Sequence, residues 1–126
     1  MSEVAARKRI VETGIVAIIR GVERDVCTEV VDAIAAGGVD AIEITANTPG
    51  AVGMIRQAAD AVDDVAIGAG TVLDSETARA VQLAGSEFVV TPAVNTEVIE
   101  TCNRYETPII TGVMTPTEAV TATEAG

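Results

Sequence analysis

Apolar and β-branched residues cluster in short runs at Ile15 to Ile19, Ala41 to Thr45, Val65 to Gly68, Phe88 to Thr91 and Ile109 to Thr111. Runs this short, bounded by polar and turn-forming residues, predict buried strands. Between them apolar positions return at a helical period, as at Val26, Val30 and Ile34, or at Ala51, Ile55, Ala58 and Val62, with charges on the opposite face. Strand and helix therefore alternate. The strand starts near positions 15, 40, 65, 88 and 109 are separated by 25, 25, 23 and 21 residues, a compact βα repeat.

Helix punctuation follows the same rhythm. Thr115-Pro116-Thr117-Glu118 offers an N-cap hydroxyl, a proline in the first turn and a glutamate three residues after the cap, which is a full capping box. Asn47-Thr48-Pro49 and Asp74-Ser75 predict two earlier helix starts. Gly14, Gly37-Gly38, Gly85 and Gly126 stand where helices should end. Gly126 closes a βα unit, so a further strand is expected after it. The segment from about residue 3 to residue 13 predicts an additional helix, placed to cover the floor of a barrel.

Such units either close into an eight-stranded barrel or lie open as a doubly wound sheet, and the pattern alone does not choose. Five strands in 126 residues are too few for a whole barrel, which typically takes about 200 residues or more, so the sheet is open or the chain is partial. The length suits a single domain over residues 1–126.

Composition narrows the setting. Hydrophobic residues make up 48% of the chain, yet Phe and Tyr occur once each and Trp never, so Ala, Val and Ile must build the core. No apolar run approaches the length of a membrane span, and the N-terminus SEVAARKRIVETG lacks the apolar stretch of a signal peptide, so a cytoplasmic protein is expected. With 19 acidic against 8 basic residues the formal charge is −11, which argues against nucleic acid and against an acidic membrane surface as partners. The same acidity predicts a solvated surface suited to high salt. Cys27 and Cys102 have no CxxC spacing, and the chain has no His, so neither a thiol nucleophile pair nor a metal cluster is expected. Cys27 shares a helical stripe with Val30, Val31 and Ile34, and Cys102 with Val98 and Tyr105, which predicts core thiols.

In both architectures chemistry gathers at the carboxyl ends of the strands, and here those ends are polar: Arg20, Glu43 with Thr45 and Asn47, Thr71, Thr91 with Pro92, and Thr111. Glu43 interrupts the apolar strand AIEIT. A carboxylate buried there is either a proton-transfer group with a raised pKa or the partner of Arg20 in an ion pair. Gly68-Ala69-Gly70-Thr71 reads equally as a loop presenting amides to an anion or as close packing. Arg20 is a candidate clamp for a carboxylate or phosphate, with Glu43 or Glu23 as alternative partners. By position alone Pro92 is more naturally a stiff strand stop.

At these strand ends VAIIRG, AGGVDAIEIT, IGAGTVL, FVVTPAVN and PIITGVMTPTEA follow one another in an order that closely resembles the 2-keto-3-deoxy-6-phosphogluconate (KDPG) aldolase family. The resemblance covers nearly the whole chain. It implies a (β/α)8 TIM barrel, of which this chain holds about five βα units plus an N-terminal helix, and a homotrimer for the full-length enzyme. It also implies a metal-free and cofactor-free class I aldolase that forms a lysine Schiff base and yields pyruvate and glyceraldehyde 3-phosphate from a phosphorylated keto sugar acid, as in Entner-Doudoroff breakdown. Carried over by position, Glu43 corresponds to the general acid-base, Thr71 and Pro92 line the pyruvyl end, and Arg20 lies near the substrate's anionic group.

Two departures accompany the resemblance. Many members carry Arg in a stretch like E-V-T-x-R-T, where this chain has Glu43-Ile44-Thr45-Ala46-Asn47-Thr48. Asn-rich versions resemble relatives acting on the galactonate epimer, which makes 2-keto-3-deoxy-6-phosphogalactonate the runner-up substrate, with Asn47 at the binding site. The family's nucleophile, in a K-x-F-P stretch, is expected beyond residue 126. Lys8 is the only lysine in the chain, and its charged surroundings, Arg7 and Arg9, do not suit a nucleophile. The 126-residue chain alone is therefore expected to be inactive. A non-enzymatic half-barrel that associates or binds anions is the alternative of another class, and a thiamine phosphate synthase fits the motifs poorly.

Overall fold

The computed structural model describes residues 3–126. Five strands, β1 (Ala17–Ile19), β2 (Ala41–Thr45), β3 (Ala66–Gly70), β4 (Val89–Thr91) and β5 (Ile109–Thr111), form one parallel sheet in the order β1-β2-β3-β4-β5. Helix α1 (Glu3–Thr13) precedes β1. Helices α2 (Cys27–Ala36), α3 (Ala51–Ala61), α4 (Ser75–Leu83), α5 (Thr96–Arg104) and α6 (Pro116–Glu124) each follow one strand. Every strand lies beside its neighbour in sequence, with no reversal of order. A barrel wall grows this way, whereas a doubly wound sheet turns back at a switch point.

The two faces of the sheet are filled by alternate residues. Ile19, Ile42, Ile44, Ile67, Ala69 and Val89 face the helices and join Val31, Met54, Ile55, Val81, Val98 and both cysteines in the main core. Each fully buried aliphatic side chain there stabilises the fold by about 1.5–3 kcal/mol. The opposite face carries Glu43 in register with Gly68, and at its lower end Phe88 packs with Ala6 of α1 and Ala66. Gly68 is needed for this: a Cβ at that position would lie 2.4 Å from the Phe88 ring.

α1 closes the amino end of the sheet as expected. Arg9 pairs with Asp40 at 3.4 Å and with Asp64 at 3.6 Å, and Thr13 hydroxyl donates to Asp40. Asp74 caps α4 by accepting from the Thr77 amide at 2.6 Å, and the Thr115 and Glu118 capping box of α6 is formed in full. Asn95 caps α5 through the amides of Glu97 and Val98, a start that the sequence pattern did not mark.

Four expectations need correction. α3 begins at Ala51 behind Gly50, whose φ is +77, rather than at Asn47-Thr48-Pro49. The Thr48 hydroxyl is occupied elsewhere, accepting from the Gly21 amide at 3.1 Å and meeting the Thr45 hydroxyl at 2.8 Å. Ile15 and Val16 precede β1. Tyr105 is not a core residue with Cys102: it stands exposed at the end of α5, its ring 3.6 Å from the Arg79 guanidinium of α4. Finally, β3 runs on to Gly70, so most of the GAGT stretch is strand and not loop. Among the described residues no helix is long and apolar enough to cross a membrane.

Candidate active site at the strand carboxyl ends

Glu43 sits in the middle of β2, between Ile18 of β1 and Gly68 of β3 in the ladder, and is only 4% exposed. Its carboxyl group folds over Gly70, where a Cβ would come within 2.5 Å of Oε2. The missing side chain at position 70 is thus the space that Glu43 occupies, a role that no motif announces. Oε2 has no hydrogen-bond partner among the described residues. Burial pushes the Glu43 carboxyl up from the ordinary glutamate value, and the positive charge of Arg20 opposes part of that rise. This setting shifts the balance towards the protonated carboxyl, the form that can give a proton and retake it.

The alternative ion pair between Arg20 and Glu43 is not formed. Arg20, one residue beyond β1, instead donates from Nη1 to Asn47 Oδ1 at 3.2 Å and from Nη2 to Thr71 Oγ1 at 3.1 Å. Thr71 reaches this position with φ +53, in the left-handed region that a β-branched residue avoids. Holding such a backbone costs about 1–3 kcal/mol, and strain of this kind concentrates at functional sites. The ends of β1, β2 and β3 are thereby tied through three side chains at the rim directly beyond Glu43.

Within the GAGT stretch the Ala69 amide is taken by the Phe88 carbonyl at 3.0 Å, and just after it the Val72 amide donates to the Val90 carbonyl at 3.2 Å. The group of this stretch that joins the rim is the Thr71 hydroxyl. Pro92, just past β4, is exposed and belongs to a different contact: a Cβ on Gly112 would lie 2.5 Å from its carbonyl. It is on the same rim as Arg20, Asn47 and Thr71 without being joined to them by a hydrogen bond. Thr91 is buried and donates to the Ala93 carbonyl at 2.9 Å.

Other groups lie apart from this rim. Lys8 is on the exposed side of α1 and pairs with Glu12 at 3.7 Å. Cys27 and Cys102 are buried, and burial raises both thiols, that of Cys102 to about 11, so neither is a ready nucleophile. No group of three or more potential metal ligands occurs among the described residues. A cavity of about 420 Å³ lies between α1 and the start of β5, lined in part by Arg7, Ile10 and Ile109, and includes none of the rim residues.

A parallel βα wall with a buried carboxyl and a hydrogen-bonded guanidinium at its strand carboxyl ends has the form of a partial barrel with a candidate site on that rim. Residues 6–126 match the family described as KDPG and KHG aldolase, and the chain belongs to that family. It is 41% identical over 113 residues to the 2-dehydro-3-deoxy-6-phosphogalactonate aldolase of Escherichia coli, covering 89% of this chain and 55% of that protein. It is 40% identical over 95 residues to the 2-dehydro-3-deoxy-phosphogluconate aldolase of Pseudomonas aeruginosa, covering 75% of this chain and 43% of that protein.

Among solved structures, one described as native KDPGal superposes with a TM-score of 0.85 at 40% identity, over 88% of this chain and 54% of the other. The KDPG aldolase of Legionella pneumophila, described with pyruvate captured at low pH as a covalent carbinolamine intermediate, superposes with a TM-score of 0.88 at 26% identity, over 96% of this chain and 59% of the other. The chain thus spans about half the length of the relatives it matches, and its fold is part of a TIM barrel of this family.

Proposed function

We propose that the chain carries the proton-transfer and carboxylate-recognition side of a class I aldolase, which cleaves 2-keto-3-deoxy-6-phosphogluconate to pyruvate and glyceraldehyde 3-phosphate. The Schiff-base lysine comes from residues outside this sequence. The observation that carries this reading is Glu43, a buried carboxyl with a raised pKa and an unpartnered oxygen directly below a fixed guanidinium. Adding an amine to a ketone needs a proton delivered to the forming alkoxide, and losing water from the carbinolamine needs a proton on the departing hydroxyl. A carboxyl whose proton is held more tightly than usual serves both steps. Arg20 receives the substrate carboxylate, with Asn47, Thr71 and Pro92 around it on the rim. The iminium then accepts the electron pair of the C3–C4 bond as the aldehyde leaves, and neither a metal nor a cofactor takes part.

The galactonate epimer is a second reading. It is favoured by Asn47, which stands where many gluconate enzymes have Arg, and by the 41% identity with the galactonate aldolase of E. coli. Comparing cleavage of the two epimers by the product of the complete gene separates the two, and equal failure on both would refute the aldolase reading. Read beyond codon 126, the gene should encode K-x-F-P. A polypeptide of these 126 residues alone should give no adduct with pyruvate and borohydride, and an adduct on Lys8 would contradict the role assigned here. The working protein is, in this reading, a cytoplasmic homotrimer with an acidic surface suited to high salt. Residues 1–126 form one domain of it.

A further inference from the structure

Arg20 is a cation with neutral partners. The chain has 19 acidic residues, yet among the described residues none is ion-paired with Arg20, whereas Arg9 is paired with two aspartates. Both hydrogen bonds of Arg20 go to uncharged acceptors, Asn47 Oδ1 and Thr71 Oγ1. A guanidinium has five N–H donors, of which these bonds use two and leave three. The acceptors come from the ends of two other strands, one of them held with a left-handed backbone. A long side chain that must be ordered at binding weakens the binding, and here the ordering is done beforehand by groups that leave the charge intact.

We propose that Asn47 is a positioning residue: together with Thr71 it fixes the Arg20 guanidinium as an unneutralised receptor for the carboxylate of a 2-keto acid, and it acts on that ligand through Arg20 rather than by touching it. This rests on the aldolase reading for the identity of the ligand but not for the arrangement of the side chains. It assigns Asn47 a purpose that its lack of charge would otherwise deny it. Aspartate at this position would bond Arg20 equally well and cancel its charge. Alanine would leave the charge and release the side chain.

The test uses the product of the complete gene, ¹⁵N-labelled at arginine, with pyruvate as the probe. The Arg20 Nε–H should be well ordered in the wild type without ligand and become mobile in Asn47→Ala, with a pyruvate dissociation constant raised roughly tenfold. Asn47→Asp should keep Nε–H ordered and lose pyruvate binding at neutral pH. Unchanged Nε–H order in Asn47→Ala would overturn the proposal. So would weaker pyruvate binding with Arg20 still ordered, which makes Asn47 a direct ligand, or wild-type affinity in Asn47→Asp. Should the wild type show no response to pyruvate, the aldolase reading falls, and the Nε–H order alone decides whether Asn47 positions Arg20.

Discussion

The amino and carboxyl ends of the sheet treat charge in opposite ways. At the amino end, below the barrel wall, Arg9 is half-buried and meets Asp40 and Asp64, and α1 is held in place by those contacts. At the carboxyl end a cation and a carboxylate occur within the same small rim and are kept from pairing: Arg20 turns to Asn47 and Thr71, and Glu43 Oε2 has no partner. Paired charges hold structure together, whereas unpaired ones are available to something else. The difference separates the part of this half-barrel that stabilises from the part that the fold pays to maintain.

Breaking the floor should give the largest effect. Phe88→Ala removes the ring that fills the space between α1, Ala66 and Gly68, and it should destabilise the chain by about 3–5 kcal/mol in urea unfolding. A loss under about 1 kcal/mol would mean that the inner floor collapses to fill the gap.

At the rim the sign should reverse. Glu43→Gln removes a buried carboxylate without changing shape, and it should raise stability by about 1–3 kcal/mol at neutral pH while abolishing aldolase turnover in the complete enzyme. The folded-state pKa of Glu43 lies above its ordinary value of 4.5. Its contribution to stability is therefore fully present below that value and is lost as pH rises through the folded pKa. The advantage of Gln should accordingly shrink as pH falls through the folded pKa and be gone below about pH 4.5 in paired thermal melts.

Two smaller changes test the cations against each other. Arg9→Gln should lower stability by about 1 kcal/mol, since its side chain is partly buried between two aspartates. Arg20→Gln should alter stability by less than about 0.5 kcal/mol, because its contacts are exposed and neutral, while sharply weakening pyruvate binding. Equal losses from the two substitutions would erase the distinction between the ends.

Much of the wall was legible before any coordinates. Alternating apolar runs located the five strands to within two or three residues, because parallel strands buried on both faces leave continuous apolar stretches. Glu43 was conspicuous as the one charge inside such a run. The start of α3 was misjudged because Asn47-Thr48-Pro49 has the composition of a cap, while the Thr48 hydroxyl is used across the sheet by Gly21 and Thr45. GAGT left free amides and close packing equally open; Gly68 and Gly70 make room for Phe88 and Glu43, and the Ala69 amide is bonded to β4. Arg20, Asn47 and Thr71 were legible as strand-end residues, but the hydrogen bonds that join them were not. Those bonds depend on the register of three strand ends and on a positive φ at a threonine, and neither is written in local composition.

The placement of Tyr105 has a practical side. It is the only tyrosine of a chain without tryptophan, so ultraviolet emission from this protein comes from one ring stacked beneath Arg79 at the seam of α4 and α5. Fluorescence will register the parting of those two helices on the outer surface. Ligands arriving at the strand ends will pass unseen by it, and a binding titration must take its signal from elsewhere.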